Sequence, residues 1–498
     1  MTIGETQHFH TVVIGAGSGG LTVADGLAGL GKRVALVERG RIGGDCTNVG
    51  CIPSKTLIHL AAEISSAGGS GPTSGADVLA AVRARRDQLW QEEESWIEGV
   101  DGLELVRGTG RIAGARAVMV EFEDGGGREL AADHIVLATG SRPVLIDIEG
   151  LPSHRRHTNE SIFELETPPQ HLAIIGAGVI GSELAFAFRK LGSAITMIDM
   201  ADRPITAFEP EVSDLLRERF REAGIELIIG AKASSWSEAE RRLHLAHETG
   251  ETTVEDVDTV LLAIGRRPNL DDIGLETIGL ERSGSNADGI RTSSMGIRTN
   301  RFGRTNVDTV YAIGDVQARS AFTHTANAQA RRLVRKLAFP WLPIGSEGTW
   351  PAAAFTDPEV AQVGPTRAQL ATLLPDAMIR TIRIDLADTD RGYTMGLGQG
   401  FLLIHAMRLT GRVLSATIVA PNASEMLPLL TQAVNGGPSL YRLSSHVFAY
   451  PTLMESVRKA ADSFTFDTLR SLPAEAWHYL QHRFRRPAAD PIRPADTP

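Results

Sequence analysis

The sequence predicts an α/β chain made of two doubly wound, parallel-sheet domains followed by a smaller α+β domain. Three observations carry that expectation. The segments Thr11–Glu38, TVVIGAGSGGLTVADGLAGLGKRVALVE, and Leu172–Asp199, LAIIGAGVIGSELAFAFRKLGSAITMID, align as an internal repeat, each reading strand, glycine turn, helix, strand. Each is followed by a short apolar run that ends at glycine with Arg-Pro beyond it, IVLATGSRP from Ile135 and VLLAIGRRP from Val260. From about Trp350 the glycine turns give way to the strand-like runs FLLIHAM and VLSATIV and a helical stretch from Ala423 through Val434, the pattern of a separate α+β unit.

The length of 498 residues is too great for one hydrophobic core and implies three or four packed units. A hydrophobic content of 42% with 22% charged residues describes an ordinary globular chain, and 51 glycines imply many tight turns or ligand-approach loops. The formal charge of -10 is modest and the basic residues form no dominant cluster, which argues against nucleic-acid binding. No apolar run reaches the length of a membrane span, and the N-terminus lacks a basic segment followed by a signal-type apolar region, so the cytoplasm is the expected compartment. A third strand-like run, VYAIGD from Val310 to Asp315, comes after the second repeat has finished and is expected to return to the first domain. Beyond Ser463 the chain reads as partly helical, with a short amphipathic helix around Trp477–Phe484 expected to pack on the body rather than on a membrane.

In the first repeat Gly15, Gly17 and Gly20 form GxGxxG between an apolar strand and a helix. Glycine is needed there because the chain turns sharply and a pyrophosphate approaches the backbone, at a helix N-terminus whose free N–H groups favour an anion. Glu38 closes the second strand, where a carboxylate accepts hydrogen bonds from ribose hydroxyls. The second repeat supplies Gly176, Gly178 and Gly181, with Asp199 in the corresponding acidic position. A carboxylate at Asp199 suits the free 2'-hydroxyl of NADH and repels a 2'-phosphate by about 1 kcal/mol even at water's dielectric. NADH is therefore favoured over NADPH, with Arg203 close enough in sequence to temper the preference. A doubly wound domain that keeps the turn and binds nothing is the bland alternative for each repeat.

The chain holds two cysteines, Cys46 and Cys51, inside GGDCTNVGCIPSK. Fully extended, the intervening steps span roughly 17 Å, whereas disulfide-bonded Cα atoms lie about 5 to 6 Å apart. The segment must curl for the two to bond. Gly50 is expected to give that freedom, and Pro53 is tolerated in the first turn of a helix starting near Cys51. A thiolate at Cys51 would lie at that helix's positive end, which lowers its pKa, and Lys55, one turn on, would stabilise the negative charge. A zinc pair would need ligands that no other cysteine supplies, so no metal site is expected; two inert thiols are the remaining alternative.

With these fingerprints on either side of GGDCTNVGCIPSK, and with ATGSRP, AIGRRPN, YAIGDV and FTDPEVAQVG, the chain resembles the class I pyridine nucleotide-disulfide oxidoreductases from about Thr11 to Asp462. That family includes dihydrolipoamide dehydrogenase, glutathione reductase and mercuric reductase. The resemblance implies two Rossmann-like dinucleotide-binding domains plus a C-terminal α+β dimerisation domain. FAD would occupy a domain of residues 1–152 and 283–348, NAD(P)H one of residues 153–282, and the dimerisation domain would span 349–465 with a tail of 466–498. It further implies that Cys51 is the charge-transfer thiol beside the flavin and Cys46 the interchange thiol that attacks the substrate, with Lys55 paired to Glu183 near the reactive flavin edge. Asp315 would contact the flavin ribityl chain, Thr139 and Gly140 would form an adenine-side turn, and Gly265 would line the NAD path. Gly44, Asp45 and Gly314 complete the expected cofactor contacts. The active unit would be a homodimer in which the C-terminal domain of one subunit completes the site of the other.

The C-terminal motif departs from the family pattern. It reads HVFAYPTLMES from His446, with Tyr450 before Pro451 where dihydrolipoamide dehydrogenase and glutathione reductase carry histidine, while Glu455 keeps its place. Tyrosine, with an ordinary pKa of about 10, is a poor proton shuttle at neutral pH. His446 is out of register and reads as a surface or packing residue. A tyrosine here is similar to the mercuric reductase branch, which also uses a C-terminal cysteine pair that this chain lacks. The expected catalytic set is thus Cys46, Cys51, Lys55, Glu183, Tyr450 and Glu455. Two readings of the reaction stay open: reduction of a small disulfide or thiol-bound acceptor through the cysteine pair, and diaphorase chemistry in which a quinone, metal ion or dioxygen is reduced directly from FAD. A non-catalytic role within a larger complex is the third.

Overall fold

The computed structural model describes residues 7–66, 74–282, 296–319, 321–345 and 347–482. The chain forms two compact units, one of residues 1–176, 187–200 and 230–347, the other of residues 177–186, 201–229 and 348–498.

In the first unit the strands Leu103–Arg107, Val34–Glu38, Gln7–Ile14 and Gly127–Leu137 lie side by side in that order and run parallel. The strand Gly127–Leu137 is long enough to take two partners along its other edge. Its first half pairs antiparallel with Ala117–Glu121 and its last residues pair parallel with Val310–Ala312. The VYAIGD segment thus returns to the first sheet, as its sequence suggests. Val13, Val34, Leu36, Val136 and Tyr311 point into one core, and Val12, Ile14, Ala35, Val37, Ile135 and Leu137 into another. A sheet covered on both faces explains why these strands read as continuous apolar runs. The helices Ser18–Ala28 and Thr323–Ala338 pack on each other over the first of these cores. They approach closely because glycine faces the contact: a Cβ on Gly26 would lie 3.0 Å from Val334.

The same unit holds a second parallel sheet of Arg156–His157, Thr259–Leu262, His171–Ile175 and Ala194–Asp199. The two Arg-Pro segments read as repeats in the sequence pair with each other: Ser141–Pro143 and Arg266–Pro268 form an antiparallel ribbon.

The second unit is built on an antiparallel sheet in the order Pro351–Ala354, Glu359–Val363, Val413–Ala420, Phe401–Met407, Ile379–Asp385. The helices Ala423–Val434 and Glu455–Arg470 bury Met426, Leu430, Val457 and Phe464 in its core. The α/β fold with a C-terminal α+β domain is therefore present. A helix at Leu472–His482 follows, tied down by Arg408, whose guanidinium pairs with Glu475 at 2.8 Å. Trp477 and Leu480 on this helix stay exposed, and the expected amphipathic segment past His482 lies outside the described residues. No helix among the described residues is long and apolar enough to cross a membrane.

Candidate redox site and nucleotide cradles

The three glycines of the first repeat have three different physical reasons. Gly15 turns with φ +102°, and a Cβ there would overlap the carbonyl oxygen of Ala138. A Cβ on Gly20 would overlap the carbonyl oxygen of Gly15, so this glycine lets helix and strand touch. Gly17 differs: a Cβ there would meet only Gly44 Cα, at 3.9 Å. Among the described residues no neighbour requires glycine at Gly17, and the open space lies at the N-terminus of the helix Ser18–Ala28, where Gly17 offers no side-chain cap. A pyrophosphate accepted by those N–H groups fits this cradle. The Glu38 carboxylate accepts hydrogen bonds from the N–H groups of Ala16 and Gly40, both at 2.7 Å, which fixes it beside the turn.

The second repeat follows the same logic. Gly176 has φ +110°, its Cβ would overlap the Ala263 carbonyl oxygen, and its N–H bonds the Ile198 carbonyl at 2.7 Å. Gly178 has open space around its Cβ position, and Gly181 is buried in the helix Val179–Lys190. Asp199 ends the strand Ala194–Asp199 and is partly exposed. Arg203 is committed locally: its guanidinium donates to Ser213 Oγ at 2.7 Å and to the Thr206 and Phe208 carbonyls at 2.9 and 3.3 Å.

The cysteine segment is docked on the first glycine turn. Gly43 bridges to Gly17, and its N–H bonds the Ala16 carbonyl at 2.9 Å. Gly43 and Gly44 take φ +90° and +57°, after which Gly44–Asn48 forms a short helix carrying Cys46. The helix Cys51–Ser66 then starts at Cys51, with Pro53 in its first turn and Lys55 one turn along, both as expected. Gly50 requires a correction of reason. It is glycine because a Cβ would lie 2.7 Å from the Asp45 carbonyl oxygen, rather than to free the chain for curling. The two helices bring the thiols together as partly exposed side chains. Cys46 is hydrogen-bonded to Cys51, and that bond, followed by burial and the nearby charge of Cys51, pushes its thiol well above the ordinary range. Cys51 Sγ also lies 3.4 Å from Thr323 Oγ1 at the start of the helix Thr323–Ala338.

Beside this segment Asp45 and Asp315 form a network with three residues outside the expected set, Ser141, Arg266 and Asn159. Ser141 Oγ donates to Asp315 Oδ2 at 2.6 Å, and Arg266 Nε donates to Ser141 Oγ at 2.8 Å. The Arg266 guanidinium also pairs with Asp45, donates to the Ser141 carbonyl at 2.9 Å and reaches Asn159 Oδ1 at 3.3 Å. Asn159 in turn donates to the Val49 carbonyl at 3.1 Å. The Asp315 side chain is 23% exposed, yet crowding by protein pushes its carboxyl up, while Ser141 and Arg266 oppose the shift. Gly314, at φ +74°, donates its N–H to Gln329 Oε1 at 2.8 Å. Thr139 and Gly140 are held by Asn269: Thr139 Oγ1 donates to its carbonyl at 2.9 Å, and its N–H bonds the Gly140 carbonyl at 3.0 Å. Gly265, at φ +117°, accepts from the Val144 N–H at 3.0 Å.

The second unit carries the remaining expected residues. Glu183 is buried, and its carboxylate accepts the Phe355 N–H at 2.8 Å. Tyr450 is 70% exposed; the charge of Asp390, then lost hydration and a hydrogen bond to that carboxylate, push its phenol up. Asp390 lies sixty residues away along the chain, and no motif spacing marks it as the partner of Tyr450. Glu455 is paired with Arg458 at 2.5 Å. His446 is exposed and bonded to the Arg442 carbonyl at 2.7 Å, the surface role expected of it.

Two nucleotide-type glycine turns, a docked cysteine pair and a separate α+β domain define a flavin-linked disulfide oxidoreductase class. Residues 9–330 match the pyridine nucleotide-disulphide oxidoreductase family and residues 350–461 its dimerisation domain, and the chain belongs to that family. It is 31% identical to dihydrolipoyl dehydrogenase 3 of Haloarcula marismortui over 480 residues, 93% of this chain and 98% of that one. It is also 31% identical to mercuric reductase of Acidithiobacillus ferrooxidans over 472 residues, 93% of this chain and 83% of that one. The solved structure of LpdA from Mycobacterium tuberculosis superposes with a TM-score of 0.81 at 25% identity, covering 92% of this chain and 99% of that one. The HOCl-induced flavoprotein disulfide reductase RclA from Escherichia coli gives 0.78 at 25% identity, with coverage of 91% and 99%. The protein is an FAD-dependent pyridine nucleotide-disulfide oxidoreductase that uses NAD(P)H and carries a dimerisation domain.

Proposed function

We propose that the chain passes an electron pair from NADH to the Cys46/Cys51 pair and from there to a small disulfide or thiol-bound acceptor in the cytoplasm. The observation that supports this reading is the thiol pair itself, hydrogen-bonded and docked through Gly43 on the Gly17 turn. FAD, when bound, supplies the two-electron step between nicotinamide and sulfur. Gly15, Gly17, Gly20 and Glu38 would hold it, with Gly44, Asp45, Lys55, Thr139, Gly140, Gly314 and Asp315 as further contacts, in a domain of residues 1–152 and 283–348. Gly176, Gly178, Gly181, Asp199 and Gly265 would bind the nicotinamide nucleotide, mainly through residues 153–282. NADH is favoured because the Asp199 carboxylate repels a 2'-phosphate, and because Arg203 is committed to Ser213 and the Thr206 carbonyl.

Two electrons and one proton open the Cys46–Cys51 disulfide, leaving a thiolate on Cys51 and a thiol on Cys46. The raised pKa of Cys46 supports this division of charge. Lys55 and Glu183 would serve the flavin side. Cys46, after losing its proton, attacks the acceptor disulfide and forms a mixed disulfide as one thiolate leaves and is protonated. Cys51 then attacks Cys46, which expels the second thiolate, protonated by solvent, and restores the disulfide. Tyr450 and Glu455 of the partner subunit would line the outer face of this site.

Tyr450 favours keeping a second reading, diaphorase chemistry with a quinone, metal ion or dioxygen, because its phenol is pushed further above neutrality and is a poor proton source for a leaving thiolate. Cys46→Ser separates the two. The proposed relay predicts loss of NADH-dependent disulfide reduction with quinone reduction largely intact; retained disulfide reduction would count against it.

A further inference from the structure

We infer that Arg266 is the positioning residue that fixes the Cys46-bearing helix against the Asp315 turn, so that thiol pair and flavin contact share one frame. This rests on the relay and cofactor contacts proposed above. Arg266 sits on the ribbon Arg266–Pro268, and its side chain is only 15% exposed. Its Nη2 reaches both Asp45, the residue before Cys46, and the Ser141 carbonyl, and its Nη1 reaches Asn159, which donates to the Val49 carbonyl two residues before Cys51. Its Nε donates to Ser141 Oγ, and Ser141 donates to Asp315 at 2.6 Å. Arg266 Nε itself is 3.9 Å from Asp315 Oδ2.

The bridged segments lie far apart in sequence, so no local hydrogen bonding can set their spacing. Two carboxylates, Asp45 and Asp315, converge on the Arg266 guanidinium, whose charge opposes the rise that burial and the charge of Asp45 impose on the Asp315 carboxyl. A planar fork with several fixed donors suits this task, whereas a lysine would meet one arm at a time. Glu160 adds a third carboxylate to the neighbourhood; burial and then the charge of Asp45 push it up, and Arg266 and Arg142 oppose that rise. Removing Arg266 therefore loosens the Cys46 helix and the Asp315 turn together.

The test uses the full-length enzyme with its FAD and the variants R266M, R266K, S141A and D45A. Three quantities are read: the dissociation constant for FAD titrated into apoprotein, the rate of Cys46 alkylation by iodoacetamide after anaerobic NADH reduction, and the Tm of the apoprotein. R266M is expected to weaken FAD binding about tenfold or more and to speed alkylation several-fold, with R266K between it and wild type. S141A should move mainly FAD affinity, and D45A mainly the alkylation rate. Wild-type values of both in R266M would overturn the inference, as would S141A and D45A shifting both readings alike in step with Tm, since a general loss of stability does that. Should R266M fail to fold, the S141A and D45A pair still decides between the outcomes. Failure of the relay itself shows elsewhere, as absence of a charge-transfer band in NADH-reduced wild type, while the dependence of FAD affinity on Arg266 remains readable.

Discussion

Cys46 is a thiol whose proton is held by its neighbour, and this has a consequence for pH. Its folded pKa lies above the ordinary thiol value of 9.0, chiefly through the hydrogen bond to Cys51. The reduced protein therefore gains stability that is fully present below that ordinary value and lost as pH rises through the folded one. Melting of reduced wild type and of Cys46→Ser across pH 7 to 11 checks this: the wild type should lose Tm more steeply above about pH 9. Parallel curves would contradict it. Tyr450 makes the opposite kind of case, a group in an acid's position that does not titrate near neutrality. Tyr450→Phe is expected to change turnover less than about tenfold, below the usual worth of a general acid. Tyr450→His should give disulfide reduction a pH dependence bending near about 6.5, read from kcat against pH.

At the scale of elements, the two glycines Gly17 and Gly20 separate ligand from scaffold. Gly20→Ala places a Cβ on the Gly15 carbonyl and should cost about 1–3 kcal/mol or more of stability, seen as a fall in apoprotein Tm. Gly17→Ala meets only an ordinary contact, so the apoprotein should melt like wild type while FAD affinity falls at least about tenfold. Equal effects on Tm would mean that the space over Gly17 is not a phosphate cradle. These turns were legible in the sequence because each element is local: strand, glycines, helix and closing acid lie within one repeat. The helix at Cys51 and the strand Val310–Ala312 were legible for the same reason. The short helix Gly44–Asn48 was not, since its geometry depends on Gly43 docking against Gly17. Arg266 and Asn159 escaped notice because their partners come from distant stretches of chain, and the two Arg-Pro segments looked like copies rather than partners.

For the whole molecule, the dimerisation domain implies an assembly of twice the 53.4 kDa chain mass, to be read by sedimentation or light scattering. Tyr450 and Val447, both exposed on the single chain, are residues whose exposure should fall in that dimer. If the site is shared between subunits, mixed dimers of Cys46→Ser and a Tyr450→Asp chain should recover disulfide reduction that neither homodimer shows. No recovery, in dimers proven to be mixed, would place both residues in one subunit's site. The family pattern, the two nucleotide turns and the α+β domain were readable along the chain, whereas the acceptor was not. No run of residues marks a particular disulfide, and the Tyr450 position owes its chemistry to Asp390, sixty residues earlier in the chain.

The central claim, that electrons pass through the Cys46/Cys51 pair, is tested most directly by anaerobic titration of the purified holoenzyme with NADH while the visible flavin spectrum is followed. The account predicts a long-wavelength charge-transfer band after two electrons per subunit, absent in Cys51→Ser. Bleaching straight to reduced flavin with no such band in the wild type would contradict it and leave the thiols outside the electron path.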